Sequence, residues 1–153
     1  MAAERKARVV VEFGAAFGVS GMYWLAGIEE SRCGDLFSFE VNKDWAAIAR
    51  KNLQAIGTRF HLTEGTFEEH IAEVLAGRKI GIALIDAIHT SEFVNRQFEI
   101  VLTHLEPGGI VVLDDVEFSD DMAQCWSAIA NDPRVLASVA VNEHLGVIET
   151  CRV

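Results

Sequence analysis

Residues 9–20 read VVVEFGAAFGVS: a β-branched run that closes on Glu12 and Phe13, a loop between Gly14 and Gly18, and a helical stretch opening at Val19. Consecutive valines suit a strand covered on both faces, and glycine lets the backbone turn sharply behind it. A buried strand followed at once by a helix is the β-α unit of a parallel sheet.

Outward from this stretch the unit repeats. The first strand spans 7–14 (ARVVVEFG), and similar runs recur at 35–41 (DLFSFEV), 59–65 (RFHLTEG), 80–87 (IGIALIDA) and 108–115 (GGIVVLDD). Amphipathic stretches between them begin near Val19, Lys43, Phe67, Ser91 and Ser119. Asn42 is placed to cap the helix of KDWAAIARKNLQAIG, with Gly57 at its far end, and Pro107-Gly108-Gly109 stops the helix SEFVNRQFEIVLTHL. Parallel neighbours need right-handed crossovers, so five such units predict a Rossmann-like, doubly wound α/β sheet with helices on both faces. The tail 134–153 (RVLASVAVNEHLGVIETCRV) holds two strand-like runs around Asn142-Glu143-His144 with no room for a helix. It predicts an antiparallel hairpin, and hence seven strands, mostly parallel with the last one antiparallel.

The 153 residues, half of them apolar, suit one domain spanning 1–153. A net charge of −10, from 13 basic and 23 acidic residues, comes with no basic cluster beyond Glu4-Arg5-Lys6-Ala7-Arg8. That balance argues against nucleic acid and for small-molecule partners, a cation among them. The N-terminus runs directly into the first strand, and no segment approaches the roughly 18 apolar residues of a membrane span. Cys33, Cys125 and Cys151 are odd in number and form no C-x-x-C pair, which speaks against a disulfide framework or a zinc site. The expectation is an untargeted cytoplasmic protein without a membrane partner.

In open α/β sheets the ligand lies beyond the carboxyl ends of the strands. Here those ends carry Glu12, Glu40, Glu64, Asp86 and the adjacent pair Asp114-Asp115. Polar residues end strands for ordinary reasons, but unpaired carboxylates are costly to bury, and five acidic ends in five suggest a polar or cationic ligand. Gly14-x-x-x-Gly18 sits in the strand-loop-helix context of a nucleotide loop, although neither G-x-G-x-x-G nor a P-loop is present. Glu40, at the second strand end, is placed to accept from ribose hydroxyls. Neighbouring side chains of a strand face opposite ways, so Asp114 and Asp115 share a ligand only if the chain leaves the strand between or just after them.

At VVEFGAAFGVS (10–20), FSFEVNKDWAAIARKNL (37–53), ALIDAIHTSEF (83–93) and LEPGGIVVLDDV (105–116), in this order and spacing, the chain resembles the class I S-adenosylmethionine-dependent methyltransferases. Within them it is similar to the metal-dependent O-methyltransferases of the catechol and caffeoyl-CoA type. The resemblance implies that Glu12, Gly14, Gly18 and Ser20 wall the methionine part of the cofactor, with Ser20 on its carboxylate. It also implies that Glu40 holds the ribose diol, that Thr66 and Phe67 lie near the adenine, and that Asp86 lies on the sulfonium side. Asp86, Asp114 and Asp115 correspond to the ligands of Mg²⁺ or a similar divalent cation, an all-oxygen set that suits a hard ion. His89 falls where catechol-type relatives carry a lysine. An imidazole can accept a hydroxyl proton near neutrality, while the competing reading is a structural histidine at a helix start.

The expected activity is methyl transfer to a small-molecule hydroxyl. A metal-independent methyltransferase is one alternative, and a non-catalytic S-adenosylmethionine or nucleotide-binding module is another. The module reading is motivated by the absence, before the first strand, of the helices that cover the site in relatives, and a homodimer is one possible source of cover. Trp24, Trp45 and Trp126 are expected to pack rather than stack on ligands. No chemistry is assigned to His61, His70, His104 or to His144 of the terminal hairpin, and Glu117, Asp120 and Asp121 are expected at an exposed helix start.

Overall fold

Val9, Val10 and Val11 are buried on both faces of an interior strand of a seven-stranded sheet. The computed structural model describes residues 1–142 and 144–151; Glu143, at the centre of the expected terminal turn, lies outside the described residues, as do Arg152 and Val153. The elements run α1 (Ala2–Arg5), β1 (Val9–Phe13), α2 (Val19–Ser31), β2 (Asp35–Glu40), α3 (Lys43–Gln54), β3 (Phe60–Glu64) and α4 (Phe67–Leu75). They continue with β4 (Ile80–Ile85), α5 (Ser91–His104), β5 (Leu105–Leu113), α6 (Asp120–Ala130), β6 (Val135–Val141) and β7 (Leu145–Thr150).

The strand order is β3-β2-β1-β4-β5-β7-β6. The β1, β2, β3, β4 and β5 neighbours pair in parallel, whereas β7 is antiparallel to both β5 and β6, as the helix-free tail predicts. Chain direction across the sheet reverses between β1 and β4, so this pair marks the switch point at which a crevice opens.

Period-two alternation divides the core into two layers. Val9, Val11 and Phe13 of β1 face Phe67, Ile71 and Leu75 of α4, Val94, Phe98 and Val101 of α5, and Met122, Cys125 and Ile129 of α6. Val10 faces the other way, with Leu25 and Ile28 of α2 and Leu53 of α3. Glu12, two residues on, also points to this second side, where Ser20 and Ser38 meet it.

Helix starts follow their caps. The Asn42 side chain accepts from the amides of Asp44 and Trp45 at 3.0 and 3.2 Å, and that of Ser119 accepts from Met122 at 3.2 Å. Asp121 does more than begin an exposed helix: it accepts from the amide and the hydroxyl of Ser91, each at 2.7 Å, and so joins the starts of α5 and α6.

Three local expectations need correction. The N-terminal residues do not run straight into β1; they form the short helix α1, which packs beside α2 and is held by Arg5, whose guanidinium donates to the Gly108 carbonyl at 2.9 Å. The α5 helix ends at His104, before Pro107-Gly108-Gly109, because that segment already belongs to the irregular opening of β5 against Ile80 and Ile82. Ala55, rather than Gly57, terminates α3, and Gly57 lies under the Glu29 carboxylate, which bonds the Thr58 amide at 3.0 Å.

Trp24 and Trp126 pack against the two core layers, as expected. No helix among the described residues is long and apolar enough to cross a membrane. Phe98, 2 % exposed at the centre of the α4–α6 layer, tests the layer's contribution. Phe98→Ala is expected to cost about 3–5 kcal/mol, read as a lowered urea midpoint at unchanged slope; a shift under about 1 kcal/mol would contradict this packing.

Candidate active site

The site begins where the parallel ladder outlasts its strands. Past the end of β1 the Phe13 carbonyl accepts from the Asp86 amide at 3.1 Å, and past β4 the Ile85 carbonyl accepts from the Asp114 amide at 3.1 Å. With Ile85 in register with Leu113, the next residues, Asp86 and Asp114, stand side by side. Asp115 then adopts φ 51° and turns the chain out of the strand direction. The turn is anchored by the Val116 amide, which donates to the His144 carbonyl at 2.9 Å. The chain thus leaves the strand just after Asp114, although among the described residues no three His, Cys, Asp or Glu side chains are grouped to hold a metal ion.

Asp86 and Asp114 share a side-chain hydrogen bond, and the Asp86 pKa rises to about 8. Burial is the main cause, followed by the Asp114 charge, the hydrogen bond with Asp114, and the charges of Glu12 and Asp115. The crowding of these carboxyl groups thus disfavours ionisation of Asp86. The His89 Nε2 lies 3.9 Å from Asp86 and 3.8 Å from Asp115, and its ring sits 5.7 Å from that of Phe118. His144, assigned no chemistry from sequence, comes within 3.8 Å of Asp115 on the other side. Only the hairpin's return to β5 brings it there.

Next to the carboxylates is a cleft of about 360 Å³ lined by Gly14, Glu40, Thr66, Phe67 and Asp86 among the sequence candidates. Its loop is built on left-handed residues: Gly14 at φ 85°, Ala16 at 44° and Gly18 at 81°. At Gly14 a side chain is impossible, since a Cβ would stand 2.0 Å from the Asp86 carbonyl oxygen. The Ala16 amide donates to one Glu40 oxygen and the Asn42 amide to the other, both at 2.8 Å, so the carboxylate is fixed at the cleft wall. Thr66 caps α4, and Phe67 forms the floor against Phe13 with ring centroids 3.7 Å apart.

Six candidates stand outside the cleft lining: His89, Asp114 and Asp115, beside Asp86 as described above, and the three expected at the methionine part of the cofactor, Glu12, Gly18 and Ser20. Glu12 is 0 % exposed and accepts from the hydroxyls of Ser20 and, at 2.8 Å, Ser38. Ser20 thus directs its proton at Glu12, and Gly18 begins α2 against Ala49. Their position in the fold is beneath the loop, where they hold its shape.

Sequence reasoning missed Phe39, Glu68, Ile88, Phe93 and Gln97, all of which line the cleft. Ile88 and Phe93 were within reach, because they flank His89 in a segment already under scrutiny. Gln97 and Glu68 lie on helices whose facing could not be read from period alone. Trp45 also lines the cleft, 44 % exposed and 5.3 Å from the Phe17 ring.

Gly14→Ala is expected to destabilise the fold by about 2–4 kcal/mol through its φ and the contact with Asp86, measured by urea unfolding; an unchanged midpoint would refute the close approach. Burial lifts Glu12 from 4.5 to about 7, so the native state holds its proton more tightly than the unfolded chain does. Its stabilising contribution is complete below the unfolded value and is lost as pH rises toward the folded one, by about 3 kcal/mol in all. Glu12→Gln should flatten the fall in Tm from about pH 5 to about pH 7, leaving the decline that Asp86 adds up to about pH 8. An identical pH profile in the variant would show that Glu12 is ionised throughout.

The family model described as a methyltransferase domain matches residues 11–116, which contain the loop, the cleft and the carboxylates. No curated protein sequence matches the chain. Among solved structures, cofactor-bound Rv0187 from MTB is 21 % identical with a TM-score of 0.82, over 97 % of this chain and 75 % of that one. TomG from Streptomyces achromogenes, an O-methyltransferase involved in tomaymycin synthesis and solved with SAM, is 16 % identical with a TM-score of 0.79, over 98 % and 76 % of the two chains. The O-methyltransferase from Bacillus cereus, in complex with SAH, is 20 % identical with a TM-score of 0.76, over 97 % and 77 %. The strand order, the loop on the cleft and the match across more than two thirds of the residues agree: the chain belongs to the methyltransferase-domain family and has the class I S-adenosylmethionine-dependent methyltransferase fold.

Proposed function

We propose that this chain transfers a methyl group from S-adenosylmethionine to a hydroxyl of a small molecule, with a divalent cation such as Mg²⁺ at Asp86, Asp114 and Asp115. The observation that carries this reading is the placement of those three carboxylates, with His89 beside them, next to a cleft that Asp86 itself lines. TomG and the Bacillus cereus protein, O-methyltransferases with SAM or SAH bound, support the cofactor and the acceptor class.

The residues suit a hard cation in charge and donor type. Burial and mutual repulsion raise the pKa of Asp86, and a cation would relieve the same repulsion. Among the described residues no group of three or more His, Cys, Asp or Glu side chains stands ready as a ligand set, so Asp86, Asp114 and Asp115 would have to close on the cation as it binds. When bound, S-adenosylmethionine supplies an electrophilic methyl group and the cation acidifies a hydroxyl that coordinates it.

The chain's own part is binding, orientation and proton transfer. Gly14 and Asp86 line the cleft on the methionine side, while Glu40, held by the Ala16 and Asn42 amides, faces the ribose hydroxyls. Thr66 and Phe67 lie at the base, and Glu12, Gly18 and Ser20 keep the loop in shape from below. His89 takes the acceptor's proton on Nε2, which lies 3.9 Å from Asp86 and 3.8 Å from Asp115. Much of the rate comes from holding donor and acceptor in line.

The hydrogen bond between Asp86 and Asp114 favours a second reading, in which the protonated pair simply closes the strand ends and transfer is metal-independent. Calorimetric titration of Mg²⁺ or Mn²⁺ into the protein, with and without S-adenosylhomocysteine, separates the two. The metal-dependent reading expects saturable binding that Asp114→Ala and Asp115→Ala each abolish, and methyl transfer to a catechol and sugar panel that a chelator stops. It also expects His89→Ala to lower kcat by about 10²–10⁴-fold. Turnover that survives both the chelator and the alanine substitutions would sink the metal.

A further inference from the structure

We propose that β6 is the surface through which two copies of this chain associate, each β6 pairing antiparallel with the other across a two-fold axis so that the two sheets join edge to edge.

The sheet ends in β3 on one side and in β6 on the other. An edge strand presents unpaired N–H and C=O groups, and soluble proteins blunt such edges with charges, bulges or a covering side chain. The β3 edge is blunted: Arg50 donates to the Leu62 carbonyl at 3.4 Å and lies 3.6 Å from Glu64 of the same strand. The β6 edge is not. Its sequence VLASVAV contains no charged residue, glycine or proline, and residues 136–141 are all exposed. Leu136, Val139 and Val141 are 61, 55 and 40 % exposed. A bulge falls between Val135 and Ala137 at the start of the strand, and residues 137–141 then keep regular register with β7. Five regular, uncharged residues are thus left open along one edge.

A second copy is the occupant that this strand fits. Paired with itself about Val139, the run 137–141 sets Val139 against Val139, Ala137 against Val141 and Ser138 against Ala140, so that small and β-branched side chains meet their like. Antiparallel pairing of two identical strands satisfies a two-fold axis, which closes the assembly as a dimer instead of extending it into a filament. Charge points the same way. Each copy carries a net charge of −10 and repels another wherever acidic surfaces meet, whereas these residues bring no charge to the contact. The apolar stripe also continues inward, because Val139 is in register with Val147 and Val141 with Leu145 of β7, both packed on the α2 side of the sheet.

The experiment is sedimentation velocity over a concentration series of the wild-type chain and of Val139→Lys at physiological ionic strength. Wild type is expected to sediment as a dimer. Val139→Lys sets two like charges face to face on the axis and should weaken association by about 100-fold or more, while its exposed position leaves the circular dichroism spectrum unchanged. Register is tested separately with Val139→Cys under a copper–phenanthroline oxidant. Directly opposed residues of antiparallel strands come within disulfide reach, so a covalent dimer should form on a non-reducing gel well beyond any that Cys33, Cys125 and Cys151 give in the wild type. A wild-type monomer at every concentration overturns the inference. So does a dimer that Val139→Lys leaves as tight as before, or a Val139→Cys protein that cross-links no more than wild type. Should Val139→Lys fail to fold, the cysteine variant decides.

Discussion

The site depends on the backbone ladder that continues past the ends of β1, β4 and β5. The amides just beyond β4 and β5 donate to the neighbouring strand's last carbonyl, tying Asp86 to Phe13 and Asp114 to Ile85, and the Gly14 amide beyond β1 donates to Phe39. Parallel pairing spaces these bonds evenly, and strands in register therefore deliver equivalent residues side by side. Two carboxylates that would repel each other in solution are held together by bonds they do not themselves make. Gly14 adds the third side, since only a residue without Cβ can cross the Asp86 carbonyl.

From that constraint the electrostatics follow. The scaffold forces Asp86 against Asp114 in a half-buried place, and the Asp86 pKa rises in response. Glu12 makes the same response for a simpler reason: it lies wholly inside, with two hydroxyl donors that only partly offset its loss of water. The two acids serve different ends. Glu12 is a structural acid under the loop, and Asp86 is exposed to whatever enters the cleft. A fold that confines acidic groups in this way gives up stability as pH rises, a cost that is common where binding sites are built in advance.

How far the sequence could be read varies with the range of the interaction. Strand and helix identity were legible because period, caps and glycines act locally: Asn42, Thr66 and Ser119 all cap the helices they precede. The reversed final strand was legible because there was no length for a crossover. The α1 turn was not, because it is held by tertiary contact from Arg5 to Gly108 rather than by local propensity. At the site, Glu40, Asp86 and His89 could be named from strand ends and the residues just beyond. Glu12 could be named too, but not its orientation, for its place on β1 turns it toward Ser20 and Ser38 and away from the cleft. Gln97 gave no signal, since a glutamine in an amphipathic helix reads as surface.

By itself the sequence determined the alternation of β-α units, the antiparallel tail, the acids at the strand ends and the methyltransferase resemblance. These rest on local hydrophobic period, turn chemistry and motif order, which a linear chain carries in full. The tertiary structure alone decided which acids meet, that Asp115 turns out of the strand, that His144 returns beside it, and that Gln97 is buried with its side-chain oxygen unpartnered. Those outcomes depend on strand order, register and helix rotation. They arise from packing between distant segments, and no stretch of sequence taken alone specifies them.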